Sequence, residues 1–431
     1  MEWIHVQTPC AKELEFYNQL ESADDMSILF HYAAWSDESS SSGSVFGEEL
    51  ELNVGTLICS PSAEYIVESV LGCGSFGKVV HCRKLDTDES VALKIIMEKD
   101  FNNDVQTEVE TLEVLKNFNL EKYNIVKWFS SFVHEGHYCH EFEKLDMSLY
   151  QYLVRERDIL ELKEIRPILQ QVALSLQLLK SLGIAHTDLK PDNIMLVDHV
   201  HQPLRVKIID FGTANLTSER FRGSELQTLW FRSPEILLGA SFNEAIDIWS
   251  LGCIAAELFM GKALFPSSDE FDMMRHVLRV IGKPPNHLLN TGVYSKQYFK
   301  HYISGNEKRT PTLWMFKSNL YSSSCKPCTL NSLYDLLEGC DEQTGEDLDR
   351  RSFVDLLVKM LQLDPDERIK PSQILQHPFI TMSHLLGNFY DCQYVKSCLD
   401  LLSGHVIEAS LNQGHFLPSQ WSVTDHQDPS G

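Results

Sequence analysis

Hydrophobic and polar positions follow two different patterns along the chain. From Tyr65, where order is expected to begin, to Ile96, apolar and β-branched residues form short runs separated by a glycine loop and the turn-like segment 86–89. Such runs predict paired β-strands. Beyond residue 145, apolar residues recur every three or four positions, which indicates amphipathic helices. The pattern therefore predicts a small strand-rich part, a large helical part and a cleft between them.

Four segments carry the helical signal most clearly. Residues 103–118 place valine and leucine side chains on one face, and segments 245–261 and 352–363 are apolar enough to be core helices. The fourth segment has a continuous apolar face formed by Ile165, Ile168, Leu169, Val172, Leu176 and Leu179. This last helix leads directly into the segment "HTDLKPDNIML" (186–196), which carries several residues suited to chemistry.

The charge balance limits the choice of partner. The 431 residues are 43% hydrophobic, which is ample for a core, and carry a net charge of −24. Such a charge argues against direct binding of nucleic acid or of an anionic membrane. Residues 1–60 hold eleven acidic residues against Lys12 alone, so a basic protein surface is the favoured partner. The chain has no run of 18 apolar residues, and we expect no membrane span.

The cysteines favour a reducing compartment. There are 11 of them, and residues 1–16 lack the basic and apolar regions of a secretory signal. We therefore expect free thiols and a location in the nucleus or the cytoplasm. Cys325 and Cys328 form a single CxxC pair, and without a second pair of ligands an accidental spacing is the better interpretation than zinc.

Four parts are expected along the chain. Residues 1–60 form an acidic, serine-containing N-terminal extension, and residues 61–143 form the strand-rich lobe. Residues 144–380 form the helical lobe, with an insert near 283–350, and residues 381–431 form a C-terminal tail.

A glycine-rich loop follows the first predicted strand. Gly72, Gly74 and Gly77 fit the pattern G-x-G-x-x-G, in which backbone N–H groups can approach phosphates closely. In a dinucleotide-binding fold the third glycine would open a helix, whereas here the chain continues as a strand. The loop therefore favours a hairpin over ATP, with binding residues Leu71, Gly72, Gly74, Ser75, Phe76, Gly77, Val79 and Ala92.

A lysine and a glutamate are predicted to pair behind this loop. Lys94 ends the strand-like motif "VALK", and Glu108 lies on the following predicted helix. Lys94 can bind the α- and β-phosphates while Glu108 holds the ammonium group in place. Glu110 and Glu113 on the same helix are alternative partners for Lys94.

The segment 186–212 supplies the remaining parts of a phosphoryl-transfer site. Asp188 can accept a hydroxyl proton, and Lys190 can neutralise charge on the transferred phosphate. Asn193 and Asp210, the latter in an Asp-Phe-Gly triplet, offer oxygen ligands for Mg²⁺. The order and spacing of these residues are specific to this chemistry.

Three downstream residues are predicted to be structural. Glu235 in "RSPEI" can pair with Arg368, and Asp247 opens an apolar helix from which it can tether the backbone of the catalytic loop. We expect these contacts to fix loop geometry, because a buried ion pair does not by itself establish stability.

Together these motifs resemble the eukaryotic protein kinases. "DLKPDN" resembles the serine/threonine branch, and "RVKIIDFGTAN", "EAIDIWSLGCIAAELF" and "HPFITMSHL" resemble the homeodomain-interacting protein kinases, which neighbour the dual-specificity tyrosine-regulated kinases. The likeness runs from residue 62 to residue 400. It implies an α+β, two-lobed kinase fold that uses ATP and Mg²⁺, with Phe142 as the gatekeeper before the hinge and Glu143 and Leu145 as the hinge contacts to adenine.

The resemblance also implies substrates and partners. Protein serine or threonine hydroxyls would accept the phosphate, a proline would follow the acceptor, and the partners would be related to transcription. The loop of this family also lacks the arginine that many kinases use to grip a phosphorylated activation segment, so Thr187 at that position does not indicate an inactive enzyme.

The activation segment, residues 210–235, departs from this family. Glu225 stands where the relatives carry an autophosphorylated tyrosine, and Leu229 stands where they carry an arginine, whereas Arg232 is retained. One hypothesis is that Glu225 pairs with Arg232, partly replaces the phosphate and makes the enzyme constitutively active. The alternative is that Glu225 is an exposed residue without a role.

A second departure is the strand before the hinge. "CHEF" places His140 and Glu141 where apolar residues are expected. Burying Glu141 without a partner would be costly, so we expect it to face an edge or to pair with a neighbour. This departure leaves a pseudokinase scaffold, which binds nucleotide or protein without efficient transfer, as the alternative to an active kinase.

Overall fold

The computed structural model describes residues 52–74, 77–96, 103–216, 222–303, 312–317, 330–340, 343–387 and 389–411. Ser75, Phe76, the Cys325–Cys328 pair and most of the acidic extension lie outside the described residues. None of the helices in the described ranges is both long and apolar enough to cross a membrane.

Six strands form the sheet of the N-terminal lobe. They are β1 (Leu57–Cys59), β2 (Glu64–Gly74), β3 (Gly77–Lys84), β4 (Ser90–Ile96), β5 (Trp128–His134) and β6 (His137–Glu143). All neighbours are antiparallel, in the order β1-β2-β3-β4-β6-β5. The Cys59 N–H donates to His134 Nδ1 at 3.3 Å, so the sheet curls until its two edge strands approach each other.

Strand β1 shows that order begins before Tyr65. Ile58 is fully buried and lies opposite Tyr65 in the register of β1 and β2. Leu52 is also buried against the same core. The end of the segment expected to be an extension therefore belongs to the sheet, because a short apolar strand can pair with an open sheet edge.

The register between β4 and β6 decides which side chains face the cleft. Lys94 lies opposite His140, and Leu93 lies opposite Glu141. Residues directly opposite each other share a face of the sheet. Lys94 and His140 therefore face one side, whereas Glu141 faces the enclosed core on the side of Leu93, among residues such as Val80.

Helix α1 (Asn103–Leu115) connects β4 to β5. It forms where the spacing of valine and leucine predicts it, with Val105, Leu112 and Leu115 buried. The helix ends three residues earlier than predicted, in a turn where Phe118 N–H donates to the Leu115 carbonyl.

The C-terminal lobe consists mainly of helices. They are α2 (Leu149–Arg155), α3 (Leu162–Ser181), α4 (Pro234–Leu237), α5 (Ala245–Met260), α6 (Glu270–Val280), α7 (Asn286–Thr291), α8 (Ser295–Tyr298), α9 (Gly345–Met360), α10 (Pro371–Gln376), α11 (Pro378–Thr381) and α12 (Gln393–Leu411). The predicted apolar face of α3 is buried in the main core. Helix α9 starts before residue 352 because Thr344 caps it by accepting from the Asp347 N–H.

Three short two-stranded sheets complete the lobe. They are β7 (Ile184–Ala185) with β10 (Asn215–Leu216), β8 (Ile194–Asp198) with β9 (Gln202–Ile208), and β11 (Phe299–Ile303) with β12 (Thr312–Phe316). The first two pairs place residues 186–193 beside residues 209–214, and the Ile209 N–H donates to the Asn193 carbonyl at 3.0 Å.

The C-terminal tail also packs on the lobe. In α12, Val395 and Cys398 are fully buried, and the Tyr394 hydroxyl donates to Asp349 Oδ2 at 2.6 Å. Asp349 also pairs with Arg166 of α3, and both side chains are fully buried. The tail is therefore part of the folded lobe as far as this helix.

Candidate active site

Lys94 joins the two lobes. Its Nζ donates to Glu108 Oε1 at 2.6 Å and Oε2 at 2.9 Å, and to Asp210 Oδ1 at 2.9 Å. The structure thus brings together Lys94 and Glu108, as the sequence predicts, rather than Glu110 or Glu113. Strand β4 supplies the lysine, helix α1 the glutamate and the C-terminal lobe the aspartate.

The charges of this triad depend on one another. Burial opposes the charge of Lys94, but Asp210 and Glu108 outweigh it and raise the pKa of Lys94. Burial acts against ionised Asp210, yet Lys94 holds the pKa of Asp210 below its usual value. Burial raises the pKa of Glu108, and Lys94 partly offsets this effect. Lys94 and Asp210 are therefore both charged at neutral pH.

Asp188 lies at the centre of the catalytic loop. Its Oδ2 accepts from Lys190 Nζ at 2.7 Å and from Asn193 Nδ2 at 3.2 Å. Its Oδ1 accepts from the Thr228 hydroxyl at 2.7 Å. The three predicted residues lie together, and Thr228, which the sequence analysis missed, joins them from the activation segment.

Asp247 fixes the backbone of this loop. Its Oδ2 accepts from the His186 N–H at 2.7 Å and its Oδ1 from the Thr187 N–H at 3.0 Å. Thr187 has φ +68°, in the left-handed region, and such a conformation persists only where contacts hold it. The tether predicted for Asp247 is present.

Thr187 also contacts the activation segment directly. Its hydroxyl donates to the Thr213 carbonyl at 2.6 Å. The residue in the usual arginine position therefore holds the start of the activation segment through a neutral hydrogen bond that needs no phosphate.

Asp210 and Asn193 fit a Mg²⁺ site that includes nucleotide phosphates. Asn193 Nδ2 donates to the Asp188 carbonyl at 2.8 Å, which leaves Oδ1 as the atom for a metal. Lys94 donates to Oδ1 of Asp210, which leaves Oδ2 as the atom for a metal. Among the described residues, no cluster of three or more histidine, cysteine, aspartate or glutamate side chains could hold a metal. Mg²⁺ commonly binds to one or two protein groups together with substrate phosphates.

The glycine loop connects strands β2 and β3. Gly77 has φ +138°, and a Cβ atom there would lie 2.0 Å from the Ile95 carbonyl oxygen, so this position requires glycine. Gly72 and Gly74 pair with Val79 and Gly77 across the hairpin. Of the other predicted residues, Leu71 is exposed, Val79 lies opposite Lys94, and Ala92 lies opposite Phe142.

The hinge has a free backbone donor. Glu143 turns its side chain to Lys207, at 2.7 and 2.8 Å, and to the Lys127 N–H at 2.6 Å. In the described part of the chain, the Leu145 N–H has no protein acceptor, although its side chain is buried. Such a donor suits an adenine ring nitrogen.

Glu141 is buried among polar partners. It is 3% exposed, its Oε2 accepts from the Tyr65 hydroxyl at 3.0 Å and the Ser130 hydroxyl at 2.9 Å, and its Oε1 forms an ion pair with Lys84 Nζ at 2.6 Å. The expected edge position is wrong, and the expected pairing with neighbours is present. Glu141 therefore lies on the face of the sheet opposite to that of Lys94.

His140 is the polar residue that does face the cleft side. It is fully buried, and its Nδ1 lies 2.7 Å from the Ser131 hydroxyl. Burial, with the nearby charge of Lys94, lowers the pKa of His140 to about 3. His140 is therefore neutral at physiological pH.

The structure does not bring Glu225 to Arg232. Glu225 is exposed, and among the described residues no ion pair joins the two. Arg232 instead donates from Nη1 to Glu270 Oε1 at 2.5 Å and from Nε and Nη2 to the Gln227 carbonyl at 3.1 and 3.0 Å. The proposed pairing is wrong because a carboxylate from helix α6 already occupies the guanidinium.

The Glu235–Arg368 pair is present as predicted. Arg368 donates to both carboxylate oxygens of Glu235, at 2.7 and 3.0 Å, and both side chains are fully buried. Arg368 also donates to the Ala245 carbonyl at 2.8 Å and lies over the Trp249 ring. This pair ties the end of the activation segment to α5.

Several contacting residues had no local sequence signal. These residues contact site residues that lie 38 to 64 positions away in the chain; they are Thr228, Lys207 and Glu270. A lone threonine, lysine or glutamate in such surroundings is indistinguishable from a solvated residue before the fold is known.

Comparison with known proteins agrees with this geometry. A family model described as "Protein kinase domain" matches residues 65–380, and the chain belongs to this family. Homeodomain-interacting protein kinase 1 of Mus musculus is 42% identical over 356 residues, which cover 79% of this chain and 29% of the relative. Homeodomain-interacting protein kinase 2 of Mesocricetus auratus is 42% identical over 371 residues, 83% of this chain and 32% of the relative.

A more distant similarity extends to another kinase group. The dual specificity protein kinase YAK1 homolog of Arabidopsis thaliana is 33% identical over 379 residues, 80% of this chain and 39% of the relative. The chain thus spans less than half the length of each of these three relatives. Its fold is the two-lobed protein kinase fold that the resemblance predicts.

Proposed function

We propose that this chain is an active kinase that transfers the γ-phosphate of Mg·ATP to serine or threonine hydroxyls of proteins. The observation that carries the proposal is the Lys94 contact with both Glu108 and Asp210, at 2.6 and 2.9 Å. This contact requires helix α1, strand β4 and the Asp210 loop to be in place together, which is the arrangement that kinase activity needs.

Each site residue has a defined task in this proposal. Asp188 accepts the hydroxyl proton of the substrate, and Lys190 neutralises charge beside it. Lys94 binds the α- and β-phosphates, and Asn193 and Asp210 would hold Mg²⁺, which would neutralise charge on the phosphates. The Glu143 carbonyl and the Leu145 N–H bind adenine at the hinge.

We propose that the substrate residue after the phosphorylated serine or threonine is proline. Gln227 has φ +65°, and Arg232 occupies its carbonyl. A backbone N–H of the substrate near this point could not donate to the Gln227 carbonyl. An unpaired, buried N–H costs free energy. Proline has no N–H to leave unpaired.

A pair of peptides tests this preference. Peptides that differ only in Ser-Pro against Ser-Ala should differ in kcat/KM by about fivefold or more, since one buried unpaired donor costs roughly 1–3 kcal/mol. Equal kcat/KM values for the two peptides would contradict the assignment.

We also propose that tyrosine phosphorylation of the activation segment is unnecessary. Position 225 is glutamate, and the Thr187 hydroxyl already holds the start of the segment. Phosphatase-treated enzyme should therefore keep its activity. The Glu225→Gln variant should also keep it, because Glu225 is exposed.

The names of the relatives suggest a class of protein partner. They are named for interaction with homeodomains, which are basic because they bind DNA. A chain with a net charge of −24 is electrostatically suited to such a partner. We propose a homeodomain or another basic, transcription-related protein as substrate.

To test the proposed activity, we compare phosphate transfer from Mg·ATP by the wild type and by Asp188→Asn. The substrates are a generic basic protein and a purified homeodomain. Phosphosites are mapped by mass spectrometry. We expect phosphoserine or phosphothreonine from the wild type and a loss of about 10²–10⁴-fold in the variant, the usual contribution of a general base. Wild-type protein that binds ATP but transfers no more phosphate than the variant would support the pseudokinase alternative.

A further inference from the structure

A segment of the insert, residues 291–298, lies against the activation segment. The Tyr294 hydroxyl donates to the Gly223 carbonyl at 2.7 Å. Arg222 donates in return to the Thr291 carbonyl. Two neighbouring residues of the activation segment, Arg222 and Gly223, are therefore both bound to the insert.

The 291–298 segment is itself fixed to residues that follow the activation segment and helix α4. The Val293 N–H donates to the Gly239 carbonyl at 3.2 Å, and the Tyr294 N–H donates to the Leu238 carbonyl at 2.9 Å. A Cβ atom at Gly239, which has φ +62°, would lie 2.5 Å from Val293 and 2.6 Å from Tyr294. The close approach thus depends on glycine at this position.

A second contact runs from the same segment to the substrate site. The Tyr298 hydroxyl donates to Glu270 Oε2 at 3.3 Å, and Glu270 Oε1 pairs with Arg232. Tyr298 is 1% exposed, so its hydroxyl has little access to water. Arg232 in turn fixes the Gln227 carbonyl. Tyr298 therefore orients the carboxylate that holds Arg232.

Both described arginines of the activation segment already have partners. Arg222 and Arg232 are the basic residues in the described part of the activation segment, 210–216 and 222–235. Arg222 contacts the Thr291 carbonyl, and Arg232 contacts Glu270. A phosphotyrosine-like group would have to displace one of these contacts to gain a charge-assisted partner.

We propose that Tyr294 and Tyr298 are positioning residues by which the insert holds the activation segment in its substrate-binding form without phosphate. This inference rests on the proposed kinase activity. Tyr294 fixes the middle of the segment at Gly223, and Tyr298 fixes its peptide-binding end through Glu270 and Arg232.

The test uses Tyr294→Phe and Tyr298→Phe in the full chain, each of which removes one hydroxyl and keeps the ring. Tyr302→Phe is the matched control, because Tyr302 lies on the same insert and is 47% exposed. We expect each of the two variants to raise the KM for a peptide substrate about three- to tenfold, the effect of one lost hydrogen bond. The KM for ATP should stay at the wild-type value, which general loss of structure would not allow. Peptide KM values equal to that of Tyr302→Phe would overturn the proposal.

Hydrogen exchange separates this inference from the proposed activity. Amides of residues 222–228 should exchange faster in Tyr294→Phe than in the wild type and in Tyr302→Phe. Faster exchange in a chain that transfers no phosphate would support the contact while the proposed function fails. Unchanged exchange would overturn the proposal whether or not the wild type is active.

Discussion

Three residues at the active site share an unusual backbone conformation, with φ between +63° and +68°. They are Thr187, Asp210 and Gln227. For residues other than glycine this conformation costs of order 1–3 kcal/mol. Each is held by specific partners: Asp247 for Thr187, Lys94 for Asp210 and Arg232 for Gln227. The strain is therefore concentrated where side chains and carbonyls must point in fixed directions.

Glu257 is a half-buried carboxyl group outside the catalytic machinery. Burial, with the nearby charge of Asp192, raises the pKa of Glu257 from 4.5 to about 7, and within the described residues its Oε2 has no hydrogen-bond partner. Between pH 4.5 and 7 the folded state keeps a proton that the unfolded state has released, so the free energy of unfolding falls as pH rises through this window.

Glu257→Gln should remove this pH dependence. Relative to the wild type, the variant should gain about 2–3 kcal/mol in free energy of unfolding between pH 5 and pH 8, from the size of the pKa shift. Urea unfolding at the two pH values measures this gain. Glu338→Gln, at an exposed site, is the matched control. Parallel pH profiles of wild type and Glu257→Gln would show that Glu257 ionises normally.

At the scale of elements, the C-terminal helix α12 is tied to α3 and α9 through one carboxylate. Asp349 pairs with Arg166 and accepts from Tyr394 at 2.6 Å, and its Oδ1 lies 3.1 Å from His384 Nε2. Burial opposes the charge of Asp349, but His384 and Arg166 hold its pKa below the usual value. The group is thus ionised and fully enclosed.

Removing this carboxylate should loosen three elements together. Asp349→Ala leaves the buried Arg166 charge unpaired and should lower the free energy of unfolding by about 3–5 kcal/mol. Tyr394→Phe removes one hydrogen bond and should cost about 1 kcal/mol. Urea unfolding measures both, with Tyr390→Phe, which is 41% exposed, as control. A loss in Asp349→Ala no larger than in Tyr394→Phe would contradict the role given to Arg166.

Helices and catalytic motifs could be predicted from sequence because their signals are local. The spacing of apolar residues in α3 and the order of Asp188, Asn193 and Asp210 are contained in short stretches. The burial of Glu141 could not be predicted, because its partners Lys84 and Tyr65 come from distant strands. The partner of Arg232 was assigned wrongly for the same reason.

At the scale of the whole molecule, the two lobes meet at the Lys94–Asp210 contact of 2.9 Å. Both groups are also the proposed ligands of phosphate and Mg²⁺. Binding of nucleotide with metal should therefore stabilise the lobes as one unit, whereas Mg²⁺ alone finds too few protein ligands.

Thermal unfolding tests this coupling. A non-hydrolysable ATP analogue with Mg²⁺, at a hundredfold excess over its Kd, should add about 2.7 kcal/mol to the free energy of unfolding. EDTA should remove most of this gain, and Mg²⁺ without nucleotide should give almost none. For the Asp210→Asn variant, the ATP analogue should add the same free energy of unfolding with and without EDTA. A full gain for the wild type in EDTA would exclude Asp210 as a metal ligand.

In the proposed ATP site, Phe142 would separate the adenine side of the cleft from the space behind Lys94. Its ring lies 6.1 Å from that of His140, on the same face of β6. Exchanging Phe142 for glycine would open a path from the adenine site to the neutral imidazole of His140. An ATP analogue enlarged at its amino group would then fit this variant and not other kinases in a cell extract. Labelled phosphate from such an analogue would mark the direct substrates of this enzyme, which makes Phe142 a starting point for chemical genetics.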